Sequence, residues 1–171
     1  MNVIGIDPSL AGTGVCLPSG EAYTIKSKLK GDDRLEFIYN RIVESIEDFH
    51  PISLAVLEDL PVNAKSAGLT GMAQGVIRMA LASADVPVAR IAPATLKKFA
   101  TGSGKADKRA MYEAIPPGLR SGLDDDNQVD AWWLREAGYA WLGKSIVYDP
   151  ADQNIREILS RAKWTGTEVS A

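Results

Sequence analysis

Apolar positions recur with two distinct periods along this chain. Asn2–Asp7, Gly14–Leu17 and Ala22–Leu29 carry short apolar runs bounded by turn residues, which is the strand signature. Ser19, Gly20 and Glu21 form a hairpin turn between the second and third of them. From 32 to 49 the spacing changes. Leu35, Ile38, Tyr39, Ile42, Val43, Ile46 and Phe49 fall on one face of a helix, with Asp32 and Asp33 at the end where carboxylates cap and suit the dipole. Ser53–Leu57 is a short apolar strand ending on Glu58, residues 64 to 84 are a helix rich in Ala, Gly and Met, and Val86–Ile91 is a further strand before Pro93. The remainder reads as loop and helix, with helices from about Lys105 to Ile115 and from about Asp126 to Leu142 and a turn at Pro116, Pro117 and Gly118 between them. This order predicts an α/β fold, a five-stranded mixed sheet flanked by α-helices.

At 171 residues, 46% of them hydrophobic, the chain fits one core under one sheet. No basic, apolar and small-residue succession opens it, and no apolar run approaches the ~18 residues of a membrane span, so a soluble cytoplasmic protein is expected. Cys16 is alone, in a strand pattern, and reads as core packing rather than a disulfide or thiolate site. His50 is also alone and reads as a surface or capping residue. The net charge of −3 argues against phosphate backbones, but its distribution does not. Lys97, Lys98, Lys105, Lys108 and Arg109 stand against one acid, Asp107, in a single segment, whereas residues 32 to 59 hold eight acids against two basic residues. A local basic segment on an acidic body can contact a polyanion, and it can equally be a solvated loop and helix start.

The acids then ask for an explanation. Asp7 ends the first strand, Glu58 ends the fourth, and the run LDDDNQVDAWWL puts Asp130 on the last helix, with Asp126 four residues and Asn127 three residues before it. If the two strands are neighbours and the helix crosses their ends, three carboxylates converge, and their repulsion calls for a cation. Oxygen ligands without His or Cys select a hard ion, Mg²⁺ or Mn²⁺. Asp124 and Asp125 read instead as helix-start residues.

GIDPSLAGTGV, VLED, APATLKKFATGSGKADKRAM and DDDNQVDAWWL together resemble the RuvC family of Holliday-junction resolvases, in the ribonuclease H-like superfamily. The resemblance runs over roughly residues 1 to 142, so residues 1–144 read as the nuclease domain and 145–171 as a C-terminal extension similar to the tails of phage and actinobacterial relatives. It implies a metal-dependent, structure-specific endonuclease that resolves four-way DNA junctions by paired nicks. Asp7, Glu58 and Asp130 match three of the family's four catalytic acids. The fourth position, three residues before the last aspartate, holds Asn127, and either Asp126 or Asn127 could reach the metal. Two ions per site are implied, with Lys108 and Lys97 near the scissile phosphate and Lys98, Lys105 and Arg109 on the backbone.

A junction has two strands to cut, so a two-fold homodimer is expected, with 64–84 as one candidate interface. Where the family carries an aromatic wedge after the glutamate, this chain has Asp59, Leu60, Pro61 and Val62, so any wedge is aliphatic. Trp132, Trp133, Trp141 and Trp164 read as packing residues rather than base-stacking platforms. Two other functions fit the same residues: a branched-DNA-binding protein without nuclease activity, which Asn127 permits, and an RNA-processing nuclease of the YqgF type.

Overall fold

The computed structural model describes residues 1–60 and 67–164. Its elements are β1 (Val3–Asp7), β2 (Thr13–Cys16), β3 (Ala22–Ile25), α1 (Gly31–Asp48), β4 (Leu54–Glu58), α2 (Ala67–Ser83), β5 (Val88–Ile91), α3 (Pro93–Thr101), α4 (Lys108–Ala114), α5 (Asp126–Trp141), α6 (Gln153–Leu159) and β6 (Lys163–Trp164). The strands form one mixed sheet in the order β3-β2-β1-β4-β5-β6. β1, β4 and β5 run parallel, and β2, β3 and β6 complete it through antiparallel pairings.

Strand alternation sorts the core into two layers. Ile4, Ile6, Val15, Ala55 and Leu57 pack against α1 and α2 with Ile38, Ile42, Ile77 and Leu81. Val3, Cys16, Leu54, Val56, Ala89 and Ile91 face the other way, onto α3, α4 and α5. That parity decides the position of the acids. Asp7 follows Val3 and Gly5 at even steps, and Glu58 follows Leu54 and Val56, so both side chains fall on the α5 face.

Glycines let α5 lie close on that face. A β-carbon on Gly5 would stand 2.0 Å from the Ala131 carbonyl oxygen, and one on Gly14 would stand 2.0 Å from that of Asn127. From the helix side, Gly138 meets Val3 and Val56 where a β-carbon would sit at 2.6 and 2.8 Å. Trp132 and Trp133 are buried in the same layer, and Trp133 Nε1 donates to the Met111 carbonyl. Trp141 and Trp164 stack on each other with ring centres 4.4 Å apart. The tryptophans therefore pack.

Four expectations change. The sheet has six strands, not five, because Lys163–Trp164 returns along the free edge of β5, held by that stack. β3 stops at Ile25 rather than Leu29, since β2 offers no residue beyond Thr13, the partner of Ile25. A helix that the sequence pattern does not announce, α3, starts at Pro93, whose fixed φ and missing N–H suit the first helical position. α4 begins at Lys108, capped by Asp107, which leaves Lys105 in the preceding loop. Within the extension, Val147, Tyr148, Ile155, Ile158 and Leu159 pack into the α5 layer, and buried Glu136 accepts from the Ile146 N–H at 3.0 Å. Cys16 is buried and His50 is exposed, as expected. Pro61 and Val62 of the wedge position, residues 64–66 of the predicted helix and residues 165–171 of the tail lie outside the described residues.

Candidate active site

One row of the sheet builds the site. Thr24 pairs with Gly14, Gly14 with Asp7, and Glu58 with Ile91, while Asp7 and Glu58 each stand one residue beyond the Ile6–Leu57 pair of their parallel strands. Two carboxylates thus leave neighbouring strand ends in the same direction, about 4.8 Å apart at the backbone. α5, seated on Gly5 and Gly14, brings Asp130 over them. Gln74 of α2 donates to the Glu58 carbonyl at 2.9 Å and fixes the end of β4.

The cost of this convergence appears in the proton affinities. Asp7 is pushed up to about 7, chiefly by burial, then by Asp130 and Asp125, against Lys108. Glu58 is pushed up to about 8 by burial, then by Asp7 and Asp130, against Lys97. Asp130 rises to about 6 through burial, opposed first by Lys97, with Asp126 adding to the rise and Lys108 also opposing it. Three mutually repelling, half-buried carboxylates meet two facing lysines from α3 and α4.

The neighbouring acids have other employment. Asp59, next to Glu58, points away and takes Lys163 Nζ at 2.8 Å and Arg90 Nη1 at 3.3 Å, which holds its carboxyl below the usual range even though burial acts the other way. Asp125 caps α5 through the Gln128 N–H and accepts from Thr24 Oγ1 and Lys26 Nζ, as a helix-start residue. Asp126 is exposed and receives Lys108 Nζ at 2.5 Å. Asn127 is half-buried, its backbone against Gly14 and its amide beside Gly12.

Of the basic residues, Lys97 and Lys108 reach the acids and the others do not. Lys98 lines a groove with Tyr148, Asp152 and Ile155, Lys105 is exposed in the loop before α4, and Arg109 pairs with Glu113 one turn on in its own helix. Thr24 and Gln74 carry no signal in the sequence. Only the pairing of β3 with β2, and the packing of α2 behind β4, give them their places.

The donor set suits a hard divalent ion: all oxygen, negatively charged, and destabilised by mutual repulsion until a cation is bound. Among the described residues no three Asp, Glu, His or Cys side chains close into a cage.

The model of the family described as crossover junction endodeoxyribonuclease RuvC matches residues 3–116. The RuvC protein of Treponema denticola is 37% identical over 144 residues, spanning 75% of this chain and 80% of the relative. That of Carboxydothermus hydrogenoformans is 30% identical over 156 residues, spanning 84% and 98%.

The chain belongs to the RuvC family.

Solved RuvC structures share the fold. Thermus thermophilus RuvC in complex with a Holliday junction substrate superposes with a TM-score of 0.67 at 23% identity, covering 84% of this chain and 97% of that one. The RuvC family model covers β1 and β4, hence Asp7 and Glu58, and stops before α5. Asp130 therefore joins the candidate site on geometry. RuvC proteins are metal-dependent nucleases, in keeping with the oxygen-only donor set.

Proposed function

We propose that this chain is a divalent-metal-dependent endonuclease that resolves four-way DNA junctions by paired nicks. The observation that carries this reading is the meeting of Asp7, Glu58 and Asp130 at one end of the sheet, with raised pKa values and with Lys97 and Lys108 turned toward them. A fold gains no stability from three half-buried acids whose proton affinities are all raised, so the cluster points to a function. That favours an enzyme over a DNA-binding protein without nuclease activity.

Asp7, Glu58 and Asp130 would hold the metal, Mg²⁺ with Mn²⁺ as a substitute, at two ions per site, and such ions would supply an activated water and charge stabilisation at the leaving 3′ oxygen. Lys97 and Lys108 offset charge on the phosphoryl oxygens as it develops. Asn127 lies beside Gly12 at the rim, where its amide can reach an ion or its water, while Asp126 acts through Lys108. Lys105 and Arg109 contact the backbone of an arm.

Two nicks need two sites, so the working unit is a homodimer. α2 offers the surface: Leu69, Met72 and Met79 are exposed on it, at 59%, 44% and 62%, and Gly68 and Gly75 leave open space above the helix. Small residues with adaptable methionines permit close helix approach.

The test is incubation of a synthetic four-way junction with and without Mg²⁺. Paired nicks ending in 5′-phosphate and 3′-hydroxyl, absent with chelator and absent on linear duplex, are the expected result. Binding without cleavage at any metal concentration would overturn it in favour of the binding protein.

A further inference from the structure

Besides Lys97 of α3 and Lys108 of α4, a second basic set lies at the acids' end of the sheet. β3 runs parallel to β1, so its end at Ile25 leaves the sheet at the same edge as Asp7 and Glu58. The chain that follows reads Lys26, Ser27, Lys28, Leu29, Lys30, Gly31, and all three lysines are exposed. Within 26–34 there are four cations, counting Arg34, against Asp32 and Asp33, and those two acids occupy the first turn of α1, where they suit the helix dipole.

This connection is held in a defined place relative to the catalytic row. Lys26 Nζ lies 3.1 Å from Asp125, the cap of α5, so its root is tied to the helix that carries Asp130. Arg34 Nε donates to the Leu29 carbonyl at 2.6 Å, and its Nη1 reaches the Leu10 carbonyl at 3.5 Å, joining the connection to the loop that follows Asp7. Lys30 and Arg34 border a cleft of about 510 Å³ that Ser9–Ala11 of that loop line together with Leu69 and Met72 of α2. Thr24, near the end of β3, is two strands from Asp7, roughly 10 Å.

We propose that the β3–α1 connection is a second DNA-backbone surface, on which Lys28 and Lys30 hold the phosphates of a duplex arm at the end of the sheet that carries the acids. It rests on the reading of the acids as a DNA-cleaving site and adds where the substrate lies across it. Lys26, already paired with Asp125, sets the position of the connection. Lys28 and Lys30 make no side-chain hydrogen bond or ion pair among the described residues, so their charge is available and their removal leaves the fold intact.

The experiment compares wild type, the double variant Lys28→Ala/Lys30→Ala, and Lys144→Ala, an exposed lysine beyond the far end of α5. Binding to a four-way junction is measured with chelator at several salt concentrations, and single-turnover cleavage at saturating protein with Mg²⁺. The double variant should weaken binding on the order of tenfold at low salt and flatten the log–log salt slope by about two, one for each phosphate that the lysines no longer neutralise. Its cleavage rate once bound should stay within twofold of wild type, and Lys144→Ala should change neither quantity. A double variant whose slope matches that of Lys144→Ala overturns the proposal, as does a deficit seen in turnover but not in binding. If wild type binds and cuts while the variant binds equally well, the surface fails alone. If wild type neither binds nor cuts the junction, the nuclease reading fails and this surface with it.

Discussion

Lys108 Nζ donates to Asp126 Oδ2 at 2.5 Å, joining the first residue of α4 to the first turn of α5 on the solvent side of the half-buried acids. Asp126 is the main reason the Lys108 pKa is raised, and Lys108 in turn opposes the rise of Asp7 and Asp130. An aspartate that works by aiming a lysine and an aspartate that binds metal make different predictions. Asp126→Ala and Lys108→Ala should overlap, the double variant losing little more cleavage rate than the worse single one. Additive losses, with a raised metal requirement for Asp126→Ala, would place Asp126 on the metal instead. Single-turnover cleavage across a Mg²⁺ titration distinguishes them.

Asp7→Asn and Glu58→Gln should each lower cleavage at least a hundredfold at saturating Mg²⁺ while junction binding stays within a few-fold of wild type. Each removes a charged ligand and leaves Lys97 and Lys108 in place. Cleavage within tenfold of wild type in either variant would remove that residue from the metal site.

The raised acids also predict how stability follows pH. Without metal, Asp7, Glu58 and Asp130 hold protons in the folded state that they have lost in the unfolded chain, because their folded values are about 7, 8 and 6. Folded protein then binds more protons than unfolded, so this contribution to stability is full below the ordinary carboxylate range and is lost as pH rises toward 8. Thermal melts in chelator should show Asp7→Asn gaining on wild type between pH 5 and pH 8. Mg²⁺ competes with the same protons, so the Tm increase it gives wild type should grow with pH over that window. A metal-induced Tm shift that is flat from pH 5 to pH 8 would contradict the assigned ligands.

Much of this site is legible in the chain, for a physical reason. A charged residue ending an apolar strand has few structural explanations, and Asp7 and Glu58 stand out on that ground. Their common face is implicit in the alternation of Val3, Gly5 and Asp7 and of Leu54, Val56 and Glu58, but only the pairing of β1 with β4 makes them neighbours. Lys98 and Lys97 are adjacent in sequence and diverge because consecutive helical residues are turned by ~100°. The sixth strand is not legible, since two residues carry no periodicity and β6 exists through the Trp141–Trp164 stack.

Glycine positions separate packing from association. Gly14→Ala puts a β-carbon 2.0 Å from the Asn127 carbonyl oxygen, so α5 must lift from β2. It should destabilise by about 1–3 kcal/mol or more and displace Asp130, lowering cleavage as well as Tm. Gly75→Ala meets nothing within 4 Å and adds helix propensity, about 1 kcal/mol in favour of the folded monomer. If α2 is the dimer interface, the same change weakens dimerisation while it stabilises the chain. Sedimentation and thermal melts of that variant should therefore move in opposite directions. A dimer unaffected by Gly75→Ala would put the interface elsewhere.

Lys97 carries the last prediction. It is the strongest influence opposing the rise of Asp130, and it acts likewise on Glu58. Replacing it with Met, which keeps the stem and removes the charge, should let both carboxyls rise further. The cleavage profile at subsaturating Mg²⁺ should then shift to higher pH, and the single-turnover rate at saturating protein should fall far more than the binding constant, because the interaction is realised mainly as charge develops. Arg109→Ala should do the reverse. Arg109 is exposed and paired with Glu113, so its removal should weaken binding modestly and flatten the salt slope by about one, with turnover unchanged. Measured side by side, the two variants separate a residue acting on the reacting phosphate from one acting on the backbone beside it. Equal small effects of both on binding and turnover would mean that Lys97 and Arg109 lie on a solvated face, and that the charge facing the scissile phosphate comes from Lys108 alone.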